Sequence, residues 1–270
     1  HTGMRTLLCW VLLLAATIAH PQTDTAHWRI PGPVDLFTTD DLGGLYVLRG
    51  NDLFLYDRNG GQPARNSFNT FGPISAVSAY ASLKPMIFSR DQGQLALLDN
   101  TLSIRGNTMN LARSGHPWVE LACTGVQDRL WLFNGRDLTL VRVDGMLNVQ
   151  ASSGRLDQVL GFTPQPTYME EADDRLYLVD PGNGVLVFDL FGTFIRTLPI
   201  TGAQRVQVRQ GAVWHVQQGR LVRYDLRSFG SEVVPWPEGN DSPTVLDARI
   251  EHGRLYRLTA EGLLVDGITR

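Results

Sequence analysis

The sequence predicts an all-β fold: a six-bladed β-propeller of four-stranded antiparallel blades, with the ring closed by an N-terminal strand that completes the last blade. Three observations carry this reading. One short unit recurs six times, its period is near 40 residues, and each copy contains short runs rich in Val, Ile, Leu and aromatics with no 3.6-residue apolar repeat. The period excludes ordinary unrepeated folds, and the lack of helical periodicity excludes helical solenoids.

Each copy reads as an apolar strand centred on an aromatic, a polar turn, a second apolar strand, and an Asp that opens another turn. The copies are Leu45-Tyr46-Val47 to Tyr56-Asp57, Ile87-Phe88 to Leu98-Asp99, Leu130-Trp131-Leu132 to Val143-Asp144, Leu176-Tyr177-Leu178 to Phe188-Asp189, Val213-Trp214 to Tyr224-Asp225, and Leu255-Tyr256 to Val265-Asp266. Successive aromatics lie 42, 43, 46, 37 and 42 residues apart. Gly43-Gly44, Asn59-Gly60, Gly135, Gly182 to Gly184 and Gly219 punctuate the runs as hairpin turns do.

In the fourth blade the strands are expected at Thr167 to Ala172, Arg175 to Val179, Val185 to Asp189 and Thr193 to Pro199. The sixth blade supplies only Thr244 to Ile250, Arg254 to Leu258 and Leu263 to Val265 before the chain ends at Arg270. Ala26 to Ile30 is expected to provide its fourth strand, which shields an open sheet edge. Tyr46, Phe88, Trp131, Tyr177, Trp214 and Tyr256 are expected in the core. Each would bury ~150 to 250 Å², roughly 4 to 6 kcal/mol before ordering entropy is charged.

Val187-Phe188-Asp189-Leu190-Phe191-Gly192-Thr193-Phe194-Ile195-Arg196-Thr197 resembles the repeat of the NHL and TolB-like six-bladed propellers. As a pattern, the resemblance extends over nearly all of the chain beyond residue 19. It implies the architecture rather than an activity, because that superfamily includes lactonases, lyases, dehydrogenases and interaction modules.

At the N-terminus, Met4 and Arg5 precede an apolar run from Leu7 to Ala19, and Thr17-Ile18-Ala19 offers a small-residue cleavage site. This reads as a secretory signal. Residues 1–19 are therefore expected to be a tag remnant and a removed signal, leaving 20–270 as one propeller domain exported to the periplasm or cell envelope. The run of thirteen residues is shorter than the ~20 a membrane-spanning helix needs. Cys9 falls inside the signal, so Cys123 is left without a disulfide partner and reads as a small buried hydrophobe rather than a catalytic thiol.

Charge and motifs narrow the function. The net charge is -3 with no long run of one sign, which excludes a nucleic-acid footprint. Lys84 is the sole lysine, and the Arg-rich composition points to codon usage before recognition. The sequence holds no nucleophile elbow, His-Glu-x-x-His, phosphate loop or Cys/His metal spacing. His116, His215 and His252 lie in different blades and would meet only at the central channel.

Enzymes of this architecture build their sites from inner-strand residues around that channel. Seven residues before each repeat aromatic stand Thr39, Ala81, Thr124, Glu170, Gln207 and Arg249. Nine before stand Phe37, Ala79, Ala122, Tyr168, Arg205 and Asp247. The candidate channel set is Tyr168, Glu170, Arg205, Gln207, Asp247 and Arg249. Glu170, Glu171 and Asp247 offer part of a Ca²⁺ site in one reading and pair with Arg205 and Arg249 in the other. A one-residue register slip would reverse which of them point inward.

Loops between blades and turns between second and third strands emerge at one end of a propeller. Here they carry Trp118, Phe162, Trp236, Arg90, Arg136 and Asp180, aromatic and charged types that favour recognition. The favoured expectation is a non-catalytic platform for a protein, peptide or glycan of the envelope, with no cofactor. The alternative is a divalent-metal-dependent hydrolase or lyase centred on the channel.

Overall fold

The protein is described here from a computed structural model covering residues 27–80 and 84–268. The expected signal at 1–19 and the channel candidate Ala81 lie outside these residues. Six four-stranded antiparallel sheets are arranged as the blades of a propeller. Their inner strands, in order, are Leu36–Thr39, Ala76–Ser78, Val119–Thr124, Tyr168–Ala172, Gln207–Arg209 and Asp247–Glu251. In blade 4 the other three strands are Arg175–Asp180, Gly184–Asp189 and Phe194–Leu198, within a residue or two of expectation.

Trp28–Pro31 closes the ring. It runs antiparallel to Gly262–Gly267, with Trp28 opposite Val265 and Pro31 opposite Gly262, and so becomes the outer strand of blade 6. Gly262 sits at φ +142°, and a Cβ there would meet the Ile30 carbonyl oxygen at 2.1 Å, so the closing strand approaches a residue that has to lack a side chain.

The Asp turns share one device. In Asp57, Asp99, Asp144 and Asp189 a single carboxylate oxygen accepts the backbone N–H groups two and four residues on, at 2.8 to 3.0 Å. This local bonding ends the third strand and aims the fourth, which is why Asp recurs there. Asp225 uses residues Arg227 and Ser228 instead. Asp266 breaks the pattern, because it pairs within the sheet opposite Leu255 and turns inward to the buried Arg257, 2.5 Å away.

The core lies in the seams between blades, and most repeat aromatics fill them. Tyr46, Trp131, Tyr177 and Tyr256 are buried. Two repeat positions differ from expectation. In blade 2 it is Met86, opposite Leu97, that holds the aromatic slot, and the buried Phe88 stands two residues on along the same face. Trp214 is only half-buried, because the seam between blades 5 and 6 has just five buried apolar residues, Leu221, Val245, Ala248, Ile250 and Leu255. No helix among the described residues is long and apolar enough to cross a membrane.

Candidate functional site

The turn between first and second strands decides which inner-strand residues face the channel. In blades 4, 5 and 6 it has two residues, Asp173-Asp174, Gln210-Gly211 and His252-Gly253, all with positive φ, the two-residue hairpin that suits sheet twist. Seven residues before the aromatic is then the position directly opposite it: Glu170 faces Tyr177, Gln207 faces Trp214, and Arg249 faces Tyr256. In blades 1 and 3 the strands end at Thr39 and Thr124 and resume at Leu45 and Leu130, so the same count lands one residue off. There the facing residues are Thr38 and Cys123, and in blade 2 Ser78 stands opposite Met86.

The expected positions Phe37, Thr39, Ala79, Ala122 and Thr124 are therefore not the register equivalents of the blade 4 to 6 set. Leu36, Ala76 and Leu121 take the place assigned to Phe37, Ala79 and Ala122. The longer turn of blade 1 was visible as Asp40-Asp41-Leu42-Gly43-Gly44.

This register gives the channel two unlike sides. Blades 1 to 3 contribute small, hydroxyl or apolar groups: Leu36, Thr38, Ala76, Ser78, Leu121 and Cys123, with the Ser78 and Thr124 hydroxyls 2.9 Å apart. Of the six predicted channel residues, all on blades 4 to 6, Tyr168, Glu170 and Arg205 line the cavity, Asp247 pairs with Arg205, and Gln207 and Arg249 are buried. Arg205 contacts Asp247 at 2.8 Å, donates to the Phe37 carbonyl at 2.9 Å and lies over the Tyr168 ring at 5.0 Å. Gln207 makes a two-way bond with the Ile250 backbone at 2.7 and 2.8 Å, stitching blade 5 to blade 6. Arg249 donates to Thr39 at 3.1 Å.

Glu170 is the unusual member. One carboxylate oxygen accepts the Val208 N–H at 3.0 Å. The other, Oε2, is buried without a hydrogen bond, 3.9 Å from an equally unpartnered Arg249 Nη2. At that separation the two attract as charges without sharing a proton. Burial is the largest influence on Glu170 and pushes its pKa up to about 7. Burial also raises the Tyr168 phenol and holds the Cys123 thiol well above its ordinary range, so Cys123 is the inert buried hydrophobe its surroundings suggest.

Glu171 belongs elsewhere. Successive strand residues face opposite sides, so it points into the seam between blades 3 and 4, accepting from Trp131 Nε1 at 2.6 Å and the Val126 N–H at 2.8 Å. Glu170, Glu171 and Asp247 thus do not converge, and among the described residues no three His, Cys, Asp or Glu side chains are grouped to hold a metal ion. A divalent cation does not fit this set, since Arg249, Arg205 and the Trp131 indole already face the three carboxylates. The channel cavity is ≈ 110 Å³, room for several waters but below the ~300 Å³ of common ligand pockets.

The loop end divides the six candidates equally. Trp118, Arg90 and Arg136 are exposed. Trp118 is 61% exposed at φ +62°, and Arg136 lies over its ring at 5.3 Å. Its backbone is pinned, with the Trp118 carbonyl accepting from Gly135 at 3.0 Å and the Pro117 carbonyl from Asn134 at 2.8 Å.

The other three are structural. Asp180 is buried, accepting from Gln165, Gly182 and Asn183 to build the turn before Gly184. Phe162 packs half-buried against the core between blades 3 and 4. Trp236 folds back half-buried, its N–H on the Gly219 carbonyl at 2.9 Å and Arg257 over its ring at 5.8 Å.

No known sequence family matches this chain, and no curated protein matches it by sequence. Solved structures do share its shape. Virginiamycin B lyase from Staphylococcus aureus superposes with a TM-score of 0.59 at 12% identity, over 87% of this chain and 80% of the lyase. The Pan2 WD40 domain of Neurospora crassa gives 0.55 at 11%, over 88% and 90% of the two chains. BBS1N, solved in complex with ARL6DN, gives 0.53 at 13%, over 89% and 78%. At these identities the likeness is one of fold, and the protein is a six-bladed β-propeller.

Proposed function

We propose that the protein is an exported, non-catalytic binding platform of the cell envelope that recognises a protein, peptide or glycan through its loop end. The observation that carries this reading is Trp118. An exposed Trp held in left-handed backbone costs of order 1 kcal/mol or more, and an Arg laid across it matches the residue types that anchor interfaces. Its rigid setting means that little ordering entropy is lost on contact.

A photo-crosslinking amino acid placed at Trp118, Arg90 or Arg136 tests it. Crosslinks to an envelope component from these positions, and none from Asn59 or Thr101 in the Asp turns between third and fourth strands, are expected. The reverse pattern overturns the platform face.

A second reading is favoured by Glu170, whose pKa near 7 suits a general acid or base in a polar cavity. Under it the channel is a hydrolase or lyase site. Structural relatives include both a lyase and a propeller solved in a complex, so the fold leaves both open. Glu170→Gln separates them: hydrolysis or elimination of a supplied substrate that this variant abolishes would carry the second reading, whereas Trp118 crosslinks that survive the substitution carry the platform.

A further inference from the structure

The loop end holds a cleft at the blade 5 to 6 seam, of ≈ 420 Å³. Its origin is local. The inner strand of blade 5 spans only Gln207–Arg209, against Tyr168–Ala172 in blade 4, so the chain before it runs outside the sheet and leaves space beside Asp247. The walls are aliphatic, formed by Val216, Val245 and Leu246, and Leu246 is 59% exposed at the rim. Gln204 and Gln218, both exposed, also line it, and the Arg205–Asp247 pair reaches it from the channel side.

We propose that this cleft binds an uncharged aliphatic segment of an extended polypeptide. One aliphatic side chain sits against Val216, Val245 and Leu246, and its flanking main-chain amides meet Gln204 and Gln218. The assignment rests on the platform reading of the loop end and names the ligand class for it.

Three features select this ligand. The volume falls within the range of pockets that enclose small ligands, and exceeds what one side chain fills. The charges in it compensate each other: Arg205 is spent on Asp247 and the Phe37 carbonyl, and the second Asp247 oxygen accepts the Ala248 N–H at 2.9 Å. A charged ligand group would have to break that pair or be buried beside it unpaired, and both are costly. A carboxamide both donates and accepts, which matches the alternating N–H and C=O of a peptide backbone. The lining side chains are aliphatic, amide, hydroxyl or charged, so a sugar ring has no aromatic surface to stack on.

The test is a ¹H–¹⁵N NMR titration of the folded protein with N-acetyl-Gly-Leu-Gly-amide, alongside analogues with Gly, Asp or Lys at the centre. Saturable shifts are expected at the Gly202, Gly219, Val245 and Leu246 amides, with every analogue weaker by about tenfold or more, as loss of an aliphatic group or burial of a charge requires. Leu246→Ser is expected to weaken the Leu peptide at least about fivefold without changing the melting temperature, since the side chain is exposed. No saturable shift, equal binding of the charged analogues, or full binding by L246S would overturn the assignment. So would tighter binding of N,N′-diacetylchitobiose at the same amides. Crosslinks at Trp118 without peptide binding would remove the cleft and leave the platform, whereas peptide binding without those crosslinks would do the opposite.

Discussion

Trp131 and Trp214 occupy the same repeat position in blades 3 and 5, yet their seams are built differently. Trp131 is fully buried among Phe133, Leu140, Leu178, Leu186 and Phe188, with its N–H bonded to Glu171. Trp214 is half-buried beside a five-residue core, with Arg223 over its ring at 5.9 Å. The difference teaches that the repeat assigns each aromatic a place, while the neighbouring blade decides how well it is covered. Blade 4 covers Trp131 with Met169, Leu176, Leu178, Leu186 and Phe188, whereas blade 6 offers Trp214 only Val245, Ala248, Ile250 and Leu255 and leaves it partly open.

The comparison is broken most directly by truncation. Trp131→Ala should cost about 3 to 5 kcal/mol, a large-to-small core loss aggravated by leaving the buried Glu171 Oε2 without its hydrogen-bond donor. Trp214→Ala should cost no more than about half of that. Denaturant melts of the two variants check this, and equal losses would remove the contrast. Hydrogen exchange should accelerate at Asp247–Glu251 in W214A and stay unchanged at Tyr168–Ala172.

A smaller effect comes from Glu170. Its folded pKa, about 7, lies above the ordinary 4.5, so the folded state holds the proton more tightly. The stability this contributes is full below 4.5 and is lost as pH rises through 7, at up to about 1.4 kcal/mol per unit. Glu170→Gln should flatten that loss, giving a variant whose advantage over the parent grows between pH 4.5 and 8. Urea midpoints at several pH values read this out.

The smallest effect sharpens the picture on the opposite face of the Trp214 strand. Burial lowers the pKa of His215 below the ordinary 6.5, and its Nδ1 has no partner. Stability from the neutral ring is present above 6.5 and falls as pH drops through the folded value. His215→Leu should remove this acid-side slope, which is at most about 1.4 kcal/mol per unit. Melts at pH 7.5 and 5.5 decide it, and an unchanged slope would show the ring to be free of that burden.

The blade count, the closing strand and the facing positions of Glu170, Gln207 and Arg249 are readable in the sequence, because hairpin geometry ties residue spacing to facing when turns are two residues long. The same count fails in blades 1 and 3, where the longer first turns shift the register by one and hand the channel to Thr38 and Cys123. Phe88 misleads for a related reason: it shares a face with Met86, and periodicity cannot separate positions two apart. Asp180 resembles a surface turn residue in sequence, and only its four accepted hydrogen bonds reveal a buried turn builder. The blade 5 to 6 cleft had no sequence signal.

The strand Trp28–Pro31 also dictates an order of events. Among the described residues its sheet partner is Gly262–Gly267, which is made more than two hundred residues later. Until that partner emerges from the ribosome, the early segment carries an unsatisfied β edge and the last seam stays open. Ring closure is therefore a non-local pairing that waits for the last blade, and a chain stopped before Gly262 would have five complete blades and no ring.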